Sequence, residues 1–194
     1  MKFAAAIFLG VFLASAQAAD EWQTLRSCTL IPNASNDGDS FHVEANGQEH
    51  IYRLYFVDCP ESEAGGLVTE RIKQQASEFG ITETAIVESG KKATAFTRAV
   101  LSRPFTVLTR GQNALGHSKL KREYAFVTAA DGADLGEMLL ERGLARSHGQ
   151  AASPPGQSAK ALWQKYDRAQ ARAKTARAGA WGGDASRPTL GLPE

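Results

Sequence analysis

The sequence predicts an α+β protein: a small five-stranded barrel with three to four helices packed at one end. Three observations carry that expectation. Short segments of alternating, β-branched and aromatic residues crowd the first third of the chain and recur after residue 105. Segments with helical apolar spacing are interspersed later. Turn dipeptides sit at the junctions, namely Asp37-Gly38, Asn46-Gly47 and Asp131-Gly132. Closing the strands into a barrel removes edges that would otherwise pair with other chains.

Residues 1–18 hold one lysine, Lys2, then an apolar run over 3–13, and end in Ala16-Gln17-Ala18. That is the pattern of a secretory signal peptide, and the run is too short to span a bilayer comfortably. The expectation is a secreted or periplasmic protein with no membrane attachment once the signal is removed. Residues 19–194 are enough for one domain with its own core. Losing Lys2 leaves 21 basic and 21 acidic residues, so any affinity for nucleic acid must come from local patches.

Three strands, over 29–31, 39–45 and 48–57, form an antiparallel meander through Asp37-Gly38 and Asn46-Gly47, where Gly and Asn or Asp tolerate positive φ. Gly65-Gly66 leads into a helix over 67–79. Thr82 caps a second helix that runs to residue 101, with Pro104 beyond its end. Strands over 105–110 and 124–128 flank the polar loop "GQNALGHSKLK". Asp134 caps a short helix to Arg142, and Gly143 is placed to end it. "SPPG" at 153–156 precedes the last helix, 158–178, which ends at Gly179. That helix carries Lys160, Lys165, Arg168, Arg172, Lys174 and Arg177 against one acid, Asp167. A phosphate-attracting face is one explanation. A solvated outer face whose inner side packs Leu162, Tyr166 and Ala169 is the simpler one.

Asp37, Asp39, Arg53, Asp58 and Glu61 lie on two segments that a hairpin can bring together at one barrel edge. Asp39 opens the second strand and Asp58 closes the third, so both lie at one end of the meander. Two carboxylates meeting there repel unless a cation lies between them, and hard oxygen ligands suit calcium. Arg53 and Asp58 are five apart, on opposite faces of a regular strand, so they share a site only if the strand bulges or ends between them. Pro60 favours such an end. Arg53 and Arg122 beside a metal and a carboxylate form a clamp suited to a phosphodiester.

Other chemistries have less support. The chain has no CxxC, HExxH, GxSxG or GxxxxGK[ST] sequence, and His42, His50, His117 and His148 are scattered. Cys59 as a thiol nucleophile with a distant histidine is the weaker alternative. Cys28 and Cys59 are candidates for a disulfide in an oxidising compartment, closing about 30 residues and contributing roughly 3 to 4 kcal/mol by the loop-entropy estimate. The alternative is two small apolar side chains that never meet.

"DGDS", "RLYFVDCPES", "REYAFV", "LLERGLA" and "AQARAKTARAGAW", in this order and spacing, resemble the staphylococcal nuclease (thermonuclease) family from about residue 28 to 181. The resemblance implies an OB-fold barrel and a calcium-dependent phosphodiesterase acting on DNA and RNA, with the 5′-oxygen leaving and 3′-phosphate ends produced. It implies Asp39, Asp58 and the backbone carbonyl of Cys59 as calcium ligands, with Asp37 supporting them from behind. Glu61 would orient or deprotonate the attacking water, and Arg53 and Arg122 would clamp the phosphate and leaving group. The expected partner is single-stranded DNA or RNA, met by a monomer. Leu120, Lys121 and Glu123 replace the glycines and tyrosine usual around Arg122, and "ARSHGQAASPPG" lacks the base-stacking tyrosines of the best-known member. The segment over 62–83 is longer than usual, and its extra helix is placed to cover or gate the site. The alternative function is a non-catalytic OB-fold module that binds nucleic acid or another anion.

Overall fold

The hairpin at Asn46-Gly47 forms as expected, with φ of 53° and 77° at the two residues. It belongs to a computed structural model that describes residues 21–115 and 120–183. The expected signal segment, His117 and part of the 111–121 loop lie outside the described residues.

In chain order the elements are β1 Gln23–Leu30, β2 Ser40–Ala45, β3 Gln48–Leu54, β4 Val57–Asp58, α1 Thr69–Phe79, α2 Glu83–Val100, β5 Phe105–Asn113, β6 Arg122–Thr128, α3 Leu135–Glu141, β7 Arg146–Ser147 and α4 Ala159–Thr175. The five longer strands close into a barrel in the order β1-β2-β3-β6-β5. The β3–β6 pair is parallel and the other barrel pairs are antiparallel. The two-residue strands β4 and β7 pair separately. The mixed α+β class and the five-stranded OB-like barrel with four helices are therefore present.

The strands bury alternate residues, such as Phe41, Val43 and Ala45 of β2, and Ala125 and Val127 of β6. These join Ala93, Phe96 and Val100 of α2 and Leu135, Leu139 and Leu140 of α3 in one core. A second cluster holds α1 in place: Ile72, Ala76 and Phe79 pack with Ile86 of α2 and Ala180, and Trp181 lies on Phe79 with ring centroids 4.2 Å apart. Each fully buried aliphatic or aromatic side chain contributes about 1.5–3 kcal/mol. Thr82, Asp134 and Ser158 cap α2, α3 and α4 by accepting from the backbone N–H groups of Ala85, Glu137 and Ala161.

The first strand begins at Gln23, not at residue 29. A register shift between Leu25 and Cys28, with Ser27 at φ 56°, breaks the alternation that would have revealed it. The strand expected over 48–57 is two: β3 stops at Leu54, Phe56 takes φ 62°, and β4 resumes in a different pairing. This is the interruption that Arg53 and Asp58 require to reach one site. Arg122 lies within β6, as its first residue.

Two expectations are corrected. Gly38 does not adopt positive φ. Its glycine requirement is a close approach, since a Cβ there would lie 2.7 Å from both the Ala93 Cβ and the Cys59 Sγ. Cys28 and Cys59 are both free and buried, with no bridge between them. The Cys28 thiol instead donates to the Leu25 carbonyl at 3.4 Å.

Leu162, Tyr166, Ala169 and Ala173 form the buried face of α4. On its outer side Lys165 pairs with Asp134 and Glu137, Arg172 with Glu141, and Lys174 lies over Trp181. Much of the basic face is thus engaged within the protein.

Candidate active site

The segment "NDGD" is shaped by its own side chains. Asp37 accepts from the backbone N–H groups of Asp39 and Ser40 at 3.2 and 2.7 Å, an Asx-type arrangement. The Gly38 carbonyl accepts from Thr97 of α2 at 2.7 Å, which ties the loop to that helix. Asp39 is thereby delivered buried at the start of β2, where its Oδ2 accepts from the Cys59 N–H at 2.8 Å.

From β3, Arg53 extends one guanidinium nitrogen, Nη2, to both acids: 3.3 Å to Asp39 Oδ2 and 2.9 Å to Asp58 Oδ1. The convergence of Asp39, Arg53 and Asp58 is therefore met. Asp39, then Asp58 and Asp37, hold the Arg53 guanidinium firmly protonated against the opposing effect of burial. Asp37 behaves differently. Burial first, and then the Asp39 charge, push its carboxyl well above the ordinary range. It supports the loop through the Asp39 and Ser40 backbone N–H groups.

Glu61 is set by two neighbours. Its backbone N–H donates to Gln75 Oε1 at 3.0 Å, and the absence of a side chain at Gly90 lets residues 60–61 lie directly on α2. A Cβ on Gly90 would fall 2.2 Å from the Glu61 carbonyl oxygen. Arg122 shares the barrel face of Arg53, because the parallel register pairs Ile51 with Arg122 and Arg53 with Tyr124. Its Nε donates to the Leu115 carbonyl at 2.9 Å and its Nη2 reaches the Ala114 carbonyl at 3.5 Å. Burial and then the nearby Arg53 charge lower its pKa. The two arginines thus face one region, and the partners of Arg122 there are neutral.

Sequence reasoning missed half of the site. Helix α1 contributes Arg71, Gln75 and Glu78, and β7 contributes Arg146. Arg71 forks between Glu61 and Asp58. Gln75, fully buried, donates to Asp58 Oδ2 at 3.2 Å and to the Cys59 carbonyl at 2.9 Å. Arg146, 2% exposed, donates to Asp58 Oδ2 at 2.8 Å and pairs with Glu78. Burial alone would raise the Asp58 pKa, but Arg71, Arg53 and Arg146 outweigh it and hold the carboxyl below its ordinary value. The Cys59 thiol is pushed well above its usual value by burial and by Asp39, Asp37 and Asp58, so it is no nucleophile.

Against this geometry, residues 52–183 match the model of a family described as staphylococcal nuclease homologue. The chain belongs to that family. A search of curated proteins finds no match. The staphylococcal nuclease match takes in Arg53, Asp58, Glu61 and Arg122, and also the Arg71, Gln75 and Arg146 that surround them. It begins beyond the Asp37–Asp39 loop, whose place in the site rests on the contacts to Arg53 and Cys59. Membership of this nuclease-type family makes calcium the relevant ion to test against the donors.

Asp39, Asp58 and the Cys59 carbonyl are hard oxygens and suit calcium by kind. As arranged, Asp58 and the Cys59 carbonyl already accept from the protein's own donors, so an ion has to displace some of them. Both oxygens of Asp58 face guanidinium or amide groups, and the Cys59 carbonyl faces Gln75. Among the described residues no three carboxylate, imidazole or thiol groups gather in a way that would hold a metal.

Proposed function

We propose that this chain is an exported, single-domain phosphodiesterase that cleaves DNA or RNA, with the 5′-oxygen leaving, and that it uses calcium. The observation that supports this best is the single Arg53 nitrogen bridging Asp39 and Asp58, with Glu61 held close by. It supports the reading because a guanidinium and three carboxylates come together there, as a phosphate-binding cation, two metal-ligand acids and a base would need to.

Each residue then has a task. Arg53 and Arg122 bind non-bridging oxygens of the phosphodiester and stabilise the charge that builds on them. Arg122 is suited to this because its present partners are carbonyls, which an anionic phosphate oxygen readily displaces. Glu61 orients water and takes its proton, which requires its carboxylate to leave Arg71. Asp39, Asp58 and the Cys59 carbonyl are the groups that would hold calcium, which when bound supplies positive charge next to the phosphate. Near-neutral overall charge leaves recognition to this local cluster.

The test is cleavage of single-stranded DNA and RNA by the exported protein in calcium and in excess EGTA. Cleavage is expected in calcium and not in EGTA. Glu61→Gln, which keeps the shape and loses the base, is expected to lower kcat by about 100-fold or more. Full activity in EGTA would remove calcium from the proposal. Tight binding without cleavage under any divalent ion would establish the non-catalytic binding module instead, a reading favoured by the engagement of Glu61 and Asp58 with Arg71.

A further inference from the structure

We infer that Arg71 is a built-in counter-cation that competes with a divalent ion for Asp58 and Glu61, so that calcium enters this site only when the Arg71 side chain leaves it. The inference rests on the assignment of these carboxylates to the functional site and adds a component that belongs to the α1 segment.

Three observations carry it. First, Arg71 occupies the site as an ion would: one guanidinium bridges Asp58 through Nη2 and Glu61 through Nε. Second, the site is already compensated. Asp58 faces Arg53, Arg71 and Arg146, so an added dication would meet three positive charges around one carboxylate unless one of them withdrew. Third, only one of the α1 and β7 groups on Asp58 has an exit. Gln75 is 0% exposed and Arg146 is 2% exposed, whereas the Arg71 side chain is 35% exposed and can rotate into water. Arg71 also lies in the first turn of α1, just after Gly65 and Gly66, which have φ of 109° and 59° and open space where a Cβ would stand. The helix itself is held along its length by Ile72, Ala76 and Phe79, so the freedom lies in the Arg71 side chain. A long cationic side chain that reaches water therefore acts as the stopper, and the buried Gln75 and Arg146 set the shape of the seat.

The chemistry that follows is competitive. Calcium and the Arg71 guanidinium claim the same carboxylate oxygens, so removing the guanidinium strengthens calcium binding, although the protein loses two salt bridges. A merely structural Arg71 would have the opposite signature: its loss would loosen the carboxylates and leave calcium binding the same or weaker.

The experiment is isothermal titration of calcium chloride into the exported chain and into Arg71→Met and Arg71→Lys, with thermal melts to confirm folding. Arg71→Met keeps the aliphatic stem and is expected to bind calcium at least tenfold more tightly than the parent. Arg71→Lys keeps the charge but replaces the planar, two-nitrogen fork with a single ammonium, and is expected to fall between them. Equal or weaker affinity in Arg71→Met overturns the inference, and so does failure of all three proteins to bind calcium. If Arg71→Met does not fold, Arg71→Lys decides, with severalfold tighter binding expected and unchanged binding overturning it. Cleavage is read separately. If the parent cuts neither DNA nor RNA in calcium while Arg71→Met gains calcium affinity, the phosphodiesterase proposal fails and the competition stands. Cleavage with calcium affinity unchanged across the variants refutes the competition alone.

Discussion

The site has two walls built on different physical terms. The barrel wall, made of the Asp37–Asp39 loop, β3 and β6, brings acids and arginines together through strand register and a glycine contact. The helical wall, made of α1 and β7, does so through a buried charge network centred on Asp58. Packing governs the first and charge compensation the second. The two walls should therefore fail differently when broken.

Breaking the helical wall at its most buried point should have the largest effect. Arg146→Met removes a guanidinium that is 2% exposed and leaves Asp58 without one of its partners. Truncating one member of a buried ion pair costs about 3–5 kcal/mol, and urea unfolding should show a loss at the lower end of that range, since Arg53 and Arg71 remain. Because Asp58 is held below its ordinary pKa, the stability this network provides is present above the usual carboxylate range and is lost as pH falls through the depressed value. The parent should accordingly lose its advantage over Arg146→Met in strong acid.

An intermediate effect is expected on the barrel wall. Gly38→Ala places a methyl 2.7 Å from Ala93 and Cys59, and overpacking of this kind costs about 1–3 kcal/mol. Unlike the Arg146 loss, this cost should not change with pH, which separates steric from electrostatic failure in the same urea experiment.

The smallest effect should come from Asp37→Asn, and it should be a gain. The folded pKa of Asp37 is raised, so its favourable form is the protonated one, fully present below the ordinary carboxylate pKa and lost as pH rises through the raised value. Asparagine keeps an acceptor for Asp39 and Ser40 without the charge. It should be the more stable at neutral pH, with the difference closing in acid, as read from urea midpoints.

The walls also differ in how far the sequence discloses them. The barrel wall was legible because its residues lie in short segments with turn and strand chemistry, and because Asp39 and Asp58 fall at the same end of a meander. Even there, Gly38 is required for a contact with α2 and Cys59 that no local pattern announces. The helical wall was hidden for a geometric reason. Arg71, Gln75 and Glu78 form a polar stripe at i, i+4 and i+7, next to the apolar stripe Ile72, Ala76 and Phe79. Such a stripe ordinarily faces water, and only the placement of α1 beside Asp58 and Cys59 gives it buried partners. Arg146 gives less signal still, since a two-residue strand has no periodicity to detect. The expected disulfide failed for the converse reason, because cysteine count and compartment say nothing about where two thiols come to lie.

The β4–β7 pairing also bears on when the site comes into being. Asp58 meets Arg146 across 88 residues of chain, and the pairing opposes Val57 to Ser147. A chain emerging from the ribosome would therefore carry Asp39, Arg53, Asp58 and Glu61 long before Arg146 arrives to fix Asp58. Bringing the two together closes a long loop, whose entropy the contacts it makes must offset. The finished site therefore depends on this long-range contact, and fragments ending before residue 146 would contain its acids without the arrangement that gives them a role.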